Sequence, residues 1–370
     1  MKRYRFVGLA ALVVAVAALT FASLGSAKPA ATMDKVTVQL KWVPQAQFAG
    51  YYAAAAKGYY KQFGLDVTLK PGGPDITPEQ VVTSGQAQFG IDWLPSLLAT
   101  RDKGGDIVNI AQVFTRSGMT ELTWKSSGIT NVAQMKGKKV GVWCCGNENE
   151  LYAALVKNGL NPKSSSSVKI VNQPFDMTLF LQSKVDAAAA MTYNELAQVL
   201  ESKNPATGKP YTLADLNVIT MEKAGTAMLE DGVFAQGAWL KDAKNQDVAK
   251  RFLAASFKGW AYCRDHQQAC VNIVLKNGTL LGKGHQTWQM NEINKLIWPA
   301  PLRGIGVMNP VAYARTAAIA KQFKVITKLP SGAYRTDLAR AANATLRKQG
   351  VNTTGLTWKA TVVKVTPGGK

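Results

Sequence analysis

Histidine is nearly absent from this chain, and cysteine and acid are scarce. Its 370 residues hold two histidines, His266 and His285, and four cysteines. Neither cysteine pair, Cys144–Cys145 or Cys263–Cys270, has the histidine and further cysteine partners that a zinc site needs, so no metal is expected. There is no serine–histidine pairing, no Walker loop and no dinucleotide fingerprint. Nucleophilic catalysis and phosphate or dinucleotide binding therefore find no support, and no cofactor is expected. Acids number 23 against 44 lysines and arginines, for a net charge of +21. That balance would suit nucleic acid, but the basic residues are scattered, the densest cluster being "KGKK" at Lys136–Lys139. The expected reading is a solvated basic surface with weak affinity for an anionic membrane or wall, and no nucleic-acid partner.

Long apolar runs are also missing, except at the start. Lys2, Arg3 and Arg5 precede an apolar, alanine-rich run from Phe6 to Ala22, and "SLGSA" then places small residues at Gly25 and Ala27. This is the grammar of a cleaved secretory leader over residues 1–27. An uncleaved anchor is the alternative, although the run is short for a spanning helix. No cysteine stands at the cleavage region, so no lipid anchor is expected there. Secretion puts the cysteines in an oxidising compartment. In one unbroken helix Cys263 and Cys270 would lie about 10 Å apart, too far to bridge. A turn at Asp265–His266 makes a disulfide feasible. Adjacent Cys144 and Cys145 are either free or joined as a vicinal bridge.

What is present is alternation. Strand-like runs such as "VTVQL", "LDVTL", "AQFGID" and "DIVNIAQV" are interleaved with helical stretches, the first from about Phe48 to Phe63. A second set follows with "KKVGVW", "SVKIV", "VDAAAAM" and "LNVITM". Thr192 and Glu195 suggest a capping box opening a helix. After "GVFAQ" the pattern is mainly helical: 248–263, 270–276, 285–297, 311–323 and 336–348. The tail from residue 349 has no helical period and is expected to be a peripheral strand or disordered. Alternation of this kind argues for two α/β units with mostly parallel sheets.

In such folds the site lies outside the carboxyl ends of the strands. The residues expected there are Trp42 and Gln45, then Asp92 and Trp93, then Gly146, Asn147 and Glu148, and finally Tyr193 and Glu195. Tyr51, beside the helical stripe of Phe48 and Tyr52, could also face the cleft, as could Asp176 in "PFDM". Trp42, Trp93 and Tyr193 offer faces for stacking. Asp92, Asn147, Glu148 and Glu195 offer acceptors and donors for ring N–H, amino or hydroxyl groups.

The stretches "KWVPQAQFAGYYAAAAKGYY", "PGGPDITPEQVVTSGQAQFGIDW", "GKKVGVWCCGNENE", "AMTYNEL" and "WQMNEINKLIWP" resemble the substrate-binding proteins of ABC importers that share a fold with the yeast thiamine-pyrimidine synthase. The resemblance runs from about Val36 to Arg340. "KWVPQAQFAGYY", "IDWLPS" and "MTYNE" look especially like the riboflavin-importer branch. It implies a type II periplasmic-binding-protein fold, two α/β lobes joined by a two-segment hinge. Crossings are expected near Thr123–Ser127 and Ala227–Gly232. The first lobe would span 36–124 and return over 231–348, the second 125–230, with 349–370 as a peripheral tail. It further implies a monomer in the periplasm that delivers a small heteroaromatic ligand, riboflavin or a thiamine-precursor pyrimidine, to a membrane permease. At the positions where the synthases carry a cofactor lysine and a catalytic histidine, this chain has Asp92 and Ser96, so the resemblance points away from an enzyme.

Overall fold

Short, largely buried runs become ten strands among the described residues, and the computed structural model sorts them into two sheets. It describes residues 32–278 and 280–370; the expected leader lies outside them. The elements run β1 (Asp34–Gln39), α1 (Ala49–Ala56), α2 (Tyr59–Gln62), β2 (Leu65–Lys70), α3 (Pro78–Thr83), β3 (Phe89–Asp92), α4 (Leu94–Asp102) and β4 (Ile107–Gln112). Next come β5 (Met119–Trp124), β6 (Lys139–Val142), α5 (Asn149–Lys157), β7 (Lys169–Asn172), α6 (Thr178–Leu181), β8 (Ala187–Met191), α7 (Glu195–Glu201), β9 (Leu216–Thr220) and α8 (Met221–Ala224). Then β10 (Gly232–Gln236) precedes α9 (Ala243–Asp265), α10 (Gln267–Asn277), α11 (Lys283–Ile297), α12 (Pro310–Gln322) and α13 (Asp337–Lys348).

The sheet orders are β2-β1-β3-β10-β4 and β7-β6-β8-β5-β9, which gives two α/β lobes. In each sheet four strands run in one direction, as expected from sequence, and one is reversed. β10 runs antiparallel to β3 and β4, and β5 antiparallel to β8 and β9. These two are the strands that enter each sheet from the other lobe. The first crossing therefore precedes β5, at residues 113–118, and not at Thr123–Ser127. The missed strand, "MTELTW", carries Glu121 fully buried, which hides it from a hydropathy reading. The second crossing passes through residues 225–231. The two crossings touch where Phe114 N donates to Asp231 O at 3.1 Å.

Lobe 1 is organised on α9. Its Phe252 stacks on Phe89 at 4.4 Å between centroids, and on Tyr51 and Tyr60. The expected helix from Phe48 to Phe63 breaks at Gly58, whose φ of 69° closes α1 before α2 starts. Alanines and Gly50 let α1 lie directly against α9: a Cβ at Gly50 would strike the Trp260 ring, and one at Gly259 would strike the Gly50 carbonyl. α9 ends at Asp265, and the turn at His266 brings Cys263 and Cys270 to a Cα separation of 5.3 Å, where they are bonded. Cys144 and Cys145 are also bonded to each other. The tail is not a strand. From residue 349 it runs irregularly along α11, where Thr361 bonds Asn291, and then places Val365 against the core of lobe 2.

Candidate functional site

Both lobes turn the carboxyl ends of their parallel strands toward one cleft of about 290 Å³. The loop after β1 supplies Lys41, Trp42, Gln45 and Gln47, and the residue after β3 is Trp93. From lobe 2 come Trp143 after β6, Asn147 before α5, and Met191, Tyr193, Asn194 and Glu195 where β8 hands over to α7. Side chains at strand ends project clear of the sheet, so the topology alone brings these four turns together.

Six of the residues expected from sequence line this cleft: Trp42, Gln45, Trp93, Asn147, Tyr193 and Glu195. Five stand elsewhere. Tyr51 is buried in the lobe 1 core, edge-on to Trp260 with centroids 5.6 Å apart. Asp92 lies beneath the cleft floor, where it ion-pairs with Lys41 and accepts from Trp93 N at 2.6 Å. The ammonium of Lys41 is buried with it, and an unpaired charge there would be expensive, so Asp92 is committed inside the protein. Gly146 takes the left-handed backbone its turn requires, with φ 104°. Its N–H is taken by Glu148 Oε2 at 2.9 Å, which folds Glu148 back onto its own turn. Asp176 caps the turn into α6 by accepting from Thr178 N.

Lys41, Gln47, Trp143, Met191 and Asn194 also line the cleft; Gln47 belongs with Trp42 and Gln45 in one sequence cluster, and the other four were not singled out. Lysine is ordinarily a surface residue, and Trp143 sits at the end of an apolar strand run that reads as core. Their signal was adjacency: each lies within two residues of an expected site residue, apart from Trp143, which stands three before Gly146.

The polar groups of the floor are tied together. Lys41 Nζ also lies 4.7 Å from the centroid of the Trp93 ring, a cation–π contact. Trp93 Nε1 donates to Asp231 Oδ1 at 3.0 Å, and Gln47 Nε2 to Asp231 Oδ2 at 2.9 Å. Gln45 Nε2 in turn donates to Gln47 Oε1 at 2.7 Å. Burial alone would lower the pKa of Lys41, but attraction to Asp92 outweighs it and leaves the ammonium favoured. Burial raises Asp231 to about 7, against the opposing pull of Gln47 and Lys41. Burial likewise raises Glu195 to about 7, offset by the Met191 N–H that its Oε2 accepts at 2.9 Å. That bond replaces the capping box expected with Thr192; Asn194 is the N-cap residue of α7.

The family description NMT1/THI5 like matches residues 45–270, more than half of the chain. The chain belongs to the NMT1/THI5 like family. The riboflavin-binding protein RibY of Chloroflexus aurantiacus is 26% identical over 251 residues, 66% of this chain and 66% of that protein. A 4-amino-5-hydroxymethyl-2-methylpyrimidine phosphate synthase of Saccharomyces cerevisiae is 25% identical over 236 residues, 62% of this chain and 67% of the enzyme. The matches thus span about two thirds of each relative's length. Among solved structures, the alkanesulfonate-binding protein SsuA of Xanthomonas axonopodis pv. citri superposes with a TM-score of 0.59 at 14% identity, over 83% of this chain and all of that one. The fold is that of the periplasmic binding proteins, as expected from sequence. Family members thus include both a named binding protein and named synthases, and the cleft residues must separate the two.

Proposed function

We propose that this chain is the extracytoplasmic ligand-binding component of an ABC importer, and that its cleft holds a planar heteroaromatic molecule, with riboflavin as the first candidate. The observation that carries this reading is the make-up of the wall. Trp42 and Trp93 from lobe 1 and Trp143 and Tyr193 from lobe 2 surround one space, with Gln45, Asn147, Asn194 and Glu195 between them. Offset stacking adds about 0.5–1.5 kcal/mol per aromatic pair beyond the area buried. The amides and carboxyls supply hydrogen bonds to ring-edge groups, and an analogue lacking a partner would leave a buried group unsatisfied. Hinge rotation about residues 113–118 and 225–231 would admit and release the ligand. A membrane permease would meet the rims of the closed lobes, with the protein acting as a monomer in the periplasm. The likeness to RibY supports the flavin.

An enzymatic role is disfavoured by the state of Lys41. A lysine acting on a carbonyl must present a neutral amine, and Lys41 is held as an ammonium against Asp92. A thiamine-precursor pyrimidine is the second candidate. It is favoured by the small cleft and by Glu195 as an acid facing an aminopyrimidine edge.

Titration of the mature protein with riboflavin, followed by flavin and tryptophan fluorescence, tests the proposal. Saturable one-to-one quenching is expected. A rise in melting temperature with formylaminopyrimidine but not with riboflavin would transfer the assignment to the pyrimidine. Binding of neither would remove the vitamin assignment.

A further inference from the structure

One polar cluster joins the lobes at the rim and also reaches the cleft. His285, on α11 of lobe 1, places Nδ1 2.9 and 3.0 Å from the two carboxylate oxygens of Glu201, on α7 of lobe 2. Its Nε2 lies 2.8 Å from Asn194 Oδ1. Asn194 Nδ2 donates to Glu195 Oε1 at 2.6 Å. Asn194 and Glu195 are both cleft walls, so a chain of hydrogen bonds runs from lobe 1, through the rim, into the ligand site. One turn along α11, Trp288 Nε1 donates to Thr192 O at 3.3 Å and ties α11 to the turn before α7.

The donors and acceptors of this chain constrain its protons. A neutral imidazole has one donor and one acceptor nitrogen. Here both ring nitrogens face oxygens, so the ring satisfies both only as an imidazolium. If Nε2 loses its proton, the Asn194 amide must turn its NH₂ toward the ring. Its Oδ1 then faces Glu195, which must carry the proton in turn. With Glu201 ionised, full pairing in either amide orientation requires one proton held by His285 or Glu195. The charged groups facing the ring are Glu201, bonded to it, and Glu195, both on α7. The tail packs Gly369 against Glu201 and His285, with Lys370 following.

We propose that His285, Asn194 and Glu195 form a proton-holding latch that fastens lobe 1 to lobe 2 and sets the charge of the carboxyl in the cleft. His285 is thus a positioning residue that acts on the ligand through Asn194. The elevated pKa of Glu195 agrees with a carboxyl able to take the shared proton. The ligand consequence rests on the cleft being the binding site, whereas the relay itself does not.

Imidazole nitrogen NMR tests the relay directly, since the chain has only one other histidine, His266, and His266→Gln assigns the signals. In the mature protein, the His285 nitrogen shifts are expected to report hydrogen bonds at both ring nitrogens. Glu195→Gln and Glu201→Gln should each move the His285 nitrogen resonances, since each alters a member of the hydrogen-bonded chain. A singly protonated His285 that ignores both substitutions overturns the proposal. Riboflavin affinity measured from pH 6 to 9 supplies the second arm. The wild type should weaken as pH rises, while in a folded His285→Gln variant the midpoint of that change should shift, because burial still acts on Glu195, and affinity should fall about tenfold. The same pH profile in both proteins overturns the latch. Failure of riboflavin to bind the wild type counts against the flavin assignment alone, and the NMR result still decides the relay.

Discussion

Trp42 and Trp143 meet edge to face across the cleft, their ring centroids 6.1 Å apart and their planes inclined at 70°. One indole belongs to each lobe, so a flat ligand entering between them must exchange this contact for stacking on its own faces. Trp42→Ala and Trp143→Ala should each weaken binding of the flat ligand about tenfold, from the lost stacking and apolar contact. Fluorescence titration reads the affinity, and thermal melting checks that the fold persists. Unchanged affinity in both variants would remove the stacking role.

Among the described residues, Lys41 is the one cation lining the cleft, and its ion pair with Asp92 is almost fully buried. Glu79 is close by, its pKa raised chiefly by burial and then by Asp92. Lys41→Met leaves Asp92 without a counter-charge and should cost about 3–5 kcal/mol in denaturant unfolding. The double variant Lys41→Met with Asp92→Leu should recover most of that loss, because replacing both members of a buried pair by apolar groups is often close to neutral. No recovery would show that Asp92 has a second, unrelated role.

Stability should fall as pH rises through neutrality. Glu150 is fully buried behind the hinge, where its Oε2 accepts from Ser117 Oγ at 2.8 Å, and burial raises it to about 8 from an ordinary 4.5. Asp231 and Glu195 are raised to about 7. Between the unfolded and folded values the native state binds more protons, so each group's contribution is complete below its unfolded pKa and is lost as pH climbs to its folded one. For Glu150 alone the change is on the order of 4 kcal/mol. Melting temperature should therefore decline from about pH 5 to pH 8, and Glu150→Gln should flatten the upper part of that decline. A melting temperature that rises over this window would contradict the sign.

The Cys263–Cys270 bridge closes a short loop between α9 and α10, with a sequence separation of 7. Loop-closure entropy puts its contribution at about 2–3 kcal/mol. The double variant Cys263→Ser with Cys270→Ser should lose that much in urea unfolding while keeping ligand affinity, since neither residue lines the cleft.

Much of the fold was written in local pattern. The long helices after β10 were recognisable because their buried residues recur at helical spacing, as with Phe252, Phe257 and Trp260 in α9. β5 was not, since Glu121 interrupts its apolar register and only contact with β8 and β9 makes it a strand. The tail was misread because its order comes from packing on α11 and lobe 2 rather than from any period of its own.

The site divides the same way. Residue type and position at a strand end were enough to indicate Trp42, Trp93 and Tyr193, because an aromatic at such a turn has few places to go except the crevice. Charge partnership was not available from sequence. Asp92 resembled a ligand contact until Lys41, 51 residues earlier, turned out to occupy it. His285 looked like an isolated histidine until two lobes brought Glu201 and Asn194 to its two nitrogens. By itself the sequence determined the alternation of elements and the aromatic character of four turns, since each depends on neighbours within a few residues. The pairing of buried charges, the hinge position and the link from rim to cleft were decided by tertiary structure alone. They depend on which distant groups share a space without water, and that is a property of the folded chain.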